Sequence, residues 1–167
     1  MENEKILAKL TEQVDESTEE VAEDTPILKF LVFSVGDALY AFGADDVREI
    51  SSSNEIYYVP FVPPYICGYA NRHGQPYTVF DLNMLFENTP LESDTLLILK
   101  SETDQVAVLI SDVQEIVAVP ESEIFRITSS DESSRYYSGA LDLENAEVFV
   151  LQVETLIERL ERDLGRS

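Results

Sequence analysis

The chain has 167 residues, 44% of them hydrophobic, and a formal net charge of −22. That length fits one domain or two small subdomains sharing a core, and apolar residues spread in short runs exclude a disordered chain. No run reaches the ~18–20 apolar residues of a membrane span. The N-terminus lacks the basic start and apolar stretch of a secretory signal, so a cytoplasmic location is expected. So negative a chain, with no basic patch beyond Arg159, Arg162 and Arg166 near its end, repels nucleic acid and anionic membranes.

Residues 1–26 are read as an acidic flexible arm, with room for a short amphipathic helix because Ile6, Leu10 and Val14 recur at four-residue spacing. The arm is also open to use as a docking peptide. From Ile27 the character changes. Phe30 to Val35 reads as a strand, Gly36-Asp37 as a turn and Leu39 to Phe42 as the returning strand. Val47 and Ile50, behind Asp45-Asp46, predict a single capped helical turn. Ile56 to Phe61 reads as a strand stopped by prolines. Pro63 to Leu82 reads as a buried turn between two apolar runs, with Asn71, Arg72 and His73 on the turn, Gly74-Gln75-Pro76 leading out of it and Tyr77 to Leu82 as the next strand.

The pattern then restarts. Leu96 to Lys100 and Val106 to Ile110 read as strands around a polar turn. Asp112-Val113-Gln114-Glu115-Ile116 repeats Asp46-Val47-Arg48-Glu49-Ile50, and the same offset along the chain relates Val32 to Ile98, Phe33 to Leu99 and Ala41 to Ala107. Two copies of a strand–turn–strand unit are too few for a solenoid and predict two similar small β-barrels packed together. Val117 to Val119 continues this half, Ser129 to Ser134 is a polar loop, and Tyr136 to Leu143 with Val148 to Val150 predicts a hairpin through Glu144-Asn145. Val153, Leu156, Ile157, Leu160 and Leu164 share one helical face, with Gly165 at the C-terminal cap. The fold class is all-β with a C-terminal helix.

No catalytic constellation is visible. His73 is the only histidine and Cys67 the only cysteine, too few for zinc, and Cys67 reads as a buried apolar side chain. There is no nucleophile elbow, no phosphate-cradling glycine loop and no calcium loop, so no cofactor and no metal is expected. Carboxylates are abundant enough to keep a small acidic carbohydrate-active hydrolase as the alternative function, although tryptophan, a common sugar platform, is absent. Of Tyr57, Tyr58, Phe61, Tyr65, Tyr69 and Tyr77, most are expected in the core and one or two on the surface, where aromatics mark partner contacts. Arg72 and His73 form a small cationic spot with Glu49 as a candidate ion-pair partner.

Taken in order, Phe30-Leu31-Val32-Phe33, Gly36-Asp37, Val47-x-Glu49-Ile50, Pro63, Ile66-x-Gly68, Asn71, Gly74, Val79-Phe80-Asp81-Leu82, Val113 and Tyr137-x-Gly139 resemble the CheW-like chemotaxis coupling protein family. The resemblance runs from about Leu28 to about Leu160. It implies a domain over 27–164 made of two intertwined five-stranded SH3-like barrels sharing a core, with the repeat changing over near 90 and strand exchange blurring that boundary. It implies a non-enzymatic adaptor, with no cofactor, that couples the cytoplasmic tips of methyl-accepting chemotaxis receptors to the regulatory domain of the CheA histidine kinase in membrane-associated arrays. Other CheW-like proteins in rings are further implied partners. Val47, Glu49, Gly68, Asn71, Arg72, His73 and Gly74 are the implied receptor- or kinase-contact residues.

The chain departs from the family at this turn. The turn usually reads Asn-Leu-Arg-Gly, and here it is Asn71-Arg72-His73-Gly74. Arginine is a permanent fork for a carboxylate, whereas histidine is shorter and titratable. Arg72 is not expected to replace it, because adjacent strand residues point to opposite faces. The departure predicts a specialised CheW paralogue with its own ring or receptor preference.

Overall fold

The computed structural model describes residues 25–128 and 130–165; the expected acidic arm, with Ile6, Leu10 and Val14, lies outside them up to residue 24. Eleven strands and two helices follow in order among the described residues. They are β1 (Ile27–Val35), β2 (Ala38–Gly43), β3 (Val47–Ser51), β4 (Ile56–Tyr57), β5 (Ile66–Arg72), β6 (Gln75–Asp81), α1 (Leu82–Glu87), β7 (Thr95–Leu99), β8 (Val106–Ile110), β9 (Asp112–Pro120), β10 (Tyr137–Leu143), β11 (Ala146–Leu151) and α2 (Val153–Asp163).

The strands form two sheets, ordered β10-β11-β2-β1-β9 and β3-β7-β8-β6-β5-β4. The repeat and the sheets do not coincide. The hairpin β1–β2 of the first repeat pairs with β9 and β11 of the second, while β7–β8 of the second pairs with β3 and β6 of the first. Even the crossover register is duplicated: Val79 faces Ala107 in one sheet and Val150 faces Ala41 in the other. Exchange of strands between the repeats ties the two sheets into one folding unit.

Burial explains why the central strands read as continuous apolar runs instead of alternating ones. Successive strand residues point to opposite faces, and here both faces are covered. Phe30, Val32, Ala41, Val148 and Val150 fill the inside of the first barrel. Val79, Leu96, Ile98, Ala107 and Leu109 fill the second. The alternate residues Leu31, Phe33, Phe42, Phe80, Leu97, Leu99, Val108 and Ile110 meet in a third, shared core between the sheets. Each Val, Leu, Ile or Phe among these contributes about 1.5–3 kcal/mol by leaving water, so the core between the barrels, like their interiors, stabilises the fold.

α2 closes the shared core with Val153, Leu156 and Leu160 buried and Ile157 and Leu164 packed beside them. Its outer turn is clasped to both halves. Tyr65 in the first half of the chain and Tyr136 in the second immediately precede β5 and β10. Arg159 donates to the Tyr136 hydroxyl at 2.7 Å and to Asp163, and its guanidinium lies 5.0 Å from the Tyr65 ring centre. Tyr65 donates to Asp163 Oδ2 at 2.6 Å. That bond, together with Arg159, holds the Asp163 carboxyl below its ordinary range.

Several local expectations are corrected. Val47–Ser51 is a strand, not a helical turn; only Ala44–Asp46 before it makes a 3₁₀ turn. Pairing of β3 with β7, Ile50 against Leu97, outweighs the local cap signal. The strand expected over Ile56 to Phe61 shrinks to Ile56–Tyr57, and Leu82 starts a helix instead of ending a strand. Buried Asp81 caps that helix, accepting from the Met84 amide at 3.1 Å through one oxygen and from the Leu91 amide at 3.0 Å through the other.

Candidate partner-contact site

The stretch from Pro63 to Leu82 is a hairpin. Its turn is exposed, which corrects the buried turn expected from the apolar runs on either side. β5 runs as far as Arg72, and β6 begins at Gln75. The two residues between them, His73 and Gly74, have φ values of 54° and 79°, the paired left-handed conformation of a tight turn whose twist suits a hairpin. Glu144-Asn145, with φ 49° and 68°, makes the matching turn between β10 and β11.

This geometry overturns the expectation that Arg72 cannot serve Glu49. Strand alternation ends at Arg72, and the left-handed His73 swings its imidazole back to the same side. Arg72 Nη2 lies 2.7 Å from Glu49 Oε2, and His73 Nε2 lies 3.5 Å from Glu49 Oε1. Two residues thus divide the carboxylate that one arginine could hold as a fork. The short contact is Arg72's, while His73, its side chain 75% exposed, keeps a looser ion-pair distance and faces solvent. The Arg72 hydrogen bond first, then the charges of Arg72 and His73, hold the Glu49 carboxyl below its ordinary value of 4.5. Arg72 Nε, buried beneath, has no hydrogen-bond partner.

The pair also has an architectural consequence. β3 and β5 are separated in the sheet by β7, β8 and β6. Glu49–Arg72 therefore bridges strands that are not neighbours, and Arg48, donating to the Tyr77 hydroxyl at 3.3 Å, joins β3 to β6 in the same way. These side chains stitch the sheet closed into a barrel at the end where the hairpin turn is displayed.

The other expected contact residues separate by environment. Asn71, His73 and Gly74 are exposed, and Val47 is half-buried against the shared core. Gly68 is buried, at a register shift between β5 and β6. Its φ is 148°, and a β-carbon there would sit 2.2 Å from the Tyr57 carbonyl oxygen. Gly68 therefore acts from behind β4, by permitting its close approach, and offers no surface of its own. Burial pushes the Cys67 thiol up to about 12, so it stays protonated at neutral pH.

The aromatics divide differently from the expectation. Tyr65 and Tyr77 are buried, but three of the six, Tyr57, Tyr58 and Phe61, are exposed. A sequence signal was present: Pro60, Pro63 and Pro64 leave little room for a paired strand beyond Tyr57. As for acids that could work as a pair, Asp46 and Glu154 line a hollow of about 570 Å³ with Arg126 and Tyr137. Burial, followed by the charge of Glu154, raises the Asp46 carboxyl above 3.8. None of the expected contact residues lines that hollow. Among the described residues no group of three or more His, Cys, Asp or Glu side chains could hold a metal ion, and no helix is long and apolar enough to cross a membrane.

Comparison with known proteins gives one consistent picture. Residues 29–161 match the family model described as CheW-like domain. The chain is 32% identical over 100 residues to the chemotaxis protein CheW of Bacillus subtilis, a match covering 58% of this chain and 64%, under two thirds, of that protein. It is similar in structure to the scaffolding protein TtCheW from Thermoanaerobacter tengcongensis, with a TM-score of 0.69, 20% identity, and coverage of 77% of this chain and 86% of that one.

Proposed function

Because the chain belongs to the CheW-like family, we propose that it is a non-enzymatic coupling adaptor joining the cytoplasmic tips of methyl-accepting chemotaxis receptors to the CheA histidine kinase. Proteins of this family are chemotaxis scaffolds, and no observation favours the hydrolase alternative. The protein works in the cytoplasm, at receptor arrays, as a specialised paralogue. The observation that carries the reading is the displayed hairpin turn with its divided clamp on Glu49.

In this reading Asn71, His73 and Gly74 touch the partner, Glu49 and Arg72 hold the turn in place, and Val47 and Gly68 support it from within. Since Arg72 already engages Glu49, His73 is left to make a contact of its own. The partner surface it meets is accordingly different from one matched to arginine, which is what makes the paralogue specialised.

Binding of purified receptor-tip fragments and of the kinase regulatory domain, before and after His73→Arg, tests this. An arginine at 73 competes for Glu49 and presents a permanent charge, so affinity for at least one partner is expected to change by about fivefold, or ~1 kcal/mol. Unchanged affinity for both would refute the role of the turn in partner choice. Failure of the wild-type protein to bind either would refute the coupling role itself.

A further inference from the structure

From the end of β4 toward β5 the chain displays Tyr57, Tyr58 and Phe61, at 54%, 80% and 100% exposure. Phe61 has a φ of 63°. Glycine or asparagine fits that left-handed conformation, whereas a bulky side chain is strained in it. Neither burial nor backbone preference within this chain accounts for a phenylalanine there. A strained backbone with a fully exposed ring is a pattern of functional sites. At 150–250 Å² per aromatic side chain, the three rings present roughly 450 Å² of surface, more than half of the ~800 Å² that one partner contributes to a standard interface.

The charges around this segment narrow the partner. Glu55 accepts from the Tyr57 hydroxyl at 3.0 Å, and the exposed Asp94 is held beside the segment, its carbonyl accepting from the Asn54 amide and side chain, both at 3.0 Å. Arg72, the nearby cation, is engaged with Glu49. A second copy of this chain carries the same net charge of −22, so overall repulsion disfavours self-association.

We infer that Tyr57, Tyr58 and Phe61 form a docking surface, with Phe61 as its anchor, for a protein partner whose face combines an apolar hollow with a lysine- or arginine-bearing rim. The inference rests on the coupling role and adds a surface distinct from the hairpin turn. Aromatic anchors in such hollows dominate binding energy, while carboxylates at the rim steer a cationic face.

The test uses the full chain, its Phe61→Asn variant, and the purified kinase regulatory domain and receptor-tip fragment as probes. Asparagine tolerates the left-handed backbone, so Tm is expected to hold or rise by about 2–4 °C. Affinity for one of the two probes is expected to fall about tenfold or more, and wild-type binding to weaken with added salt. Equal binding of both probes by wild type and variant overturns the anchor while leaving the coupling role intact. A Tm that falls along with affinity assigns Phe61 a structural role and overturns it too. Binding insensitive to salt overturns the cationic rim. Self-association of the wild type that Phe61→Asn abolishes makes a second copy the occupant and overturns the assignment. Wild-type binding of neither probe removes the coupling role and this surface with it.

Discussion

Replacing Gly68 with alanine asks whether the close approach of β4 to β5 is as tight as the backbone indicates. The new β-carbon would lie 2.2 Å from the Tyr57 carbonyl oxygen, 2.8 Å from its carbon and 3.1 Å from Ile56 Cγ2. The obstruction is mostly backbone, so a rotamer change cannot relieve it. β4 must retreat by about 1 Å to reach ordinary contact distance. It is held by only two residue pairs, Ile56 with Ala70 and Tyr57 with Tyr69, so it is the element that yields. Strain at a φ of 148° contributes roughly 1–3 kcal/mol, and weakening the pairing adds about 1–2 kcal/mol. The smaller unfolded-state entropy of alanine offsets about 0.4–1 kcal/mol. The net loss is then about 2–4 kcal/mol, or a Tm lower by roughly 5–15 °C. Urea denaturation measures the loss, and hydrogen exchange at Ile56 and Tyr57 locates it. A loss no larger than the ~0.5 kcal/mol of an unconstrained surface substitution, with unchanged exchange at those two amides, would refute the steric reasoning.

Two further outcomes follow from the ion pairs. Glu49→Gln removes a carboxylate whose folded pKa is depressed, so its contribution is present above about pH 4.5 and fades as pH falls through the folded value. The Tm difference between wild type and variant should therefore hold from neutral pH toward 5 and shrink below about 4.5; a difference that persists at pH 3 would refute the linkage. Arg159→Met keeps the aliphatic packing but takes the guanidinium donor from Tyr136, leaves Asp163 with Tyr65 as its hydrogen-bond donor and removes the cation over Tyr65. It is expected to cost about 2 kcal/mol by urea titration, with faster hydrogen exchange along α2 and little change at the Glu49 turn.

Periodicity alone placed the two central hairpins, the Glu144-Asn145 turn and the apolar face of α2, because each depends on residues near one another in the chain. The constant offset between matching residues likewise announced two related units. Continuous apolar runs over Leu31 to Phe33 and Leu97 to Leu99 indicated strands, but not that both faces are covered or by what. Val47–Ser51 carried a local helix-cap signal that long-range pairing overrode. α1 was hidden because Asp81, its cap, ends an apolar strand without a break.

The residues themselves determined the all-β character, the doubled unit and the unusual turn Asn71-Arg72-His73-Gly74. Only the tertiary structure decided which strands share a sheet, since hydrogen bonds between exchanged repeats leave no periodic trace in either copy. It alone showed that Arg72 and His73 divide Glu49, because the left-handed backbone at His73 ends the strand alternation from which opposite faces were expected. It also separated the buried Gly68 from the exposed Phe61, two residues of one short stretch whose environments depend on where β4 packs.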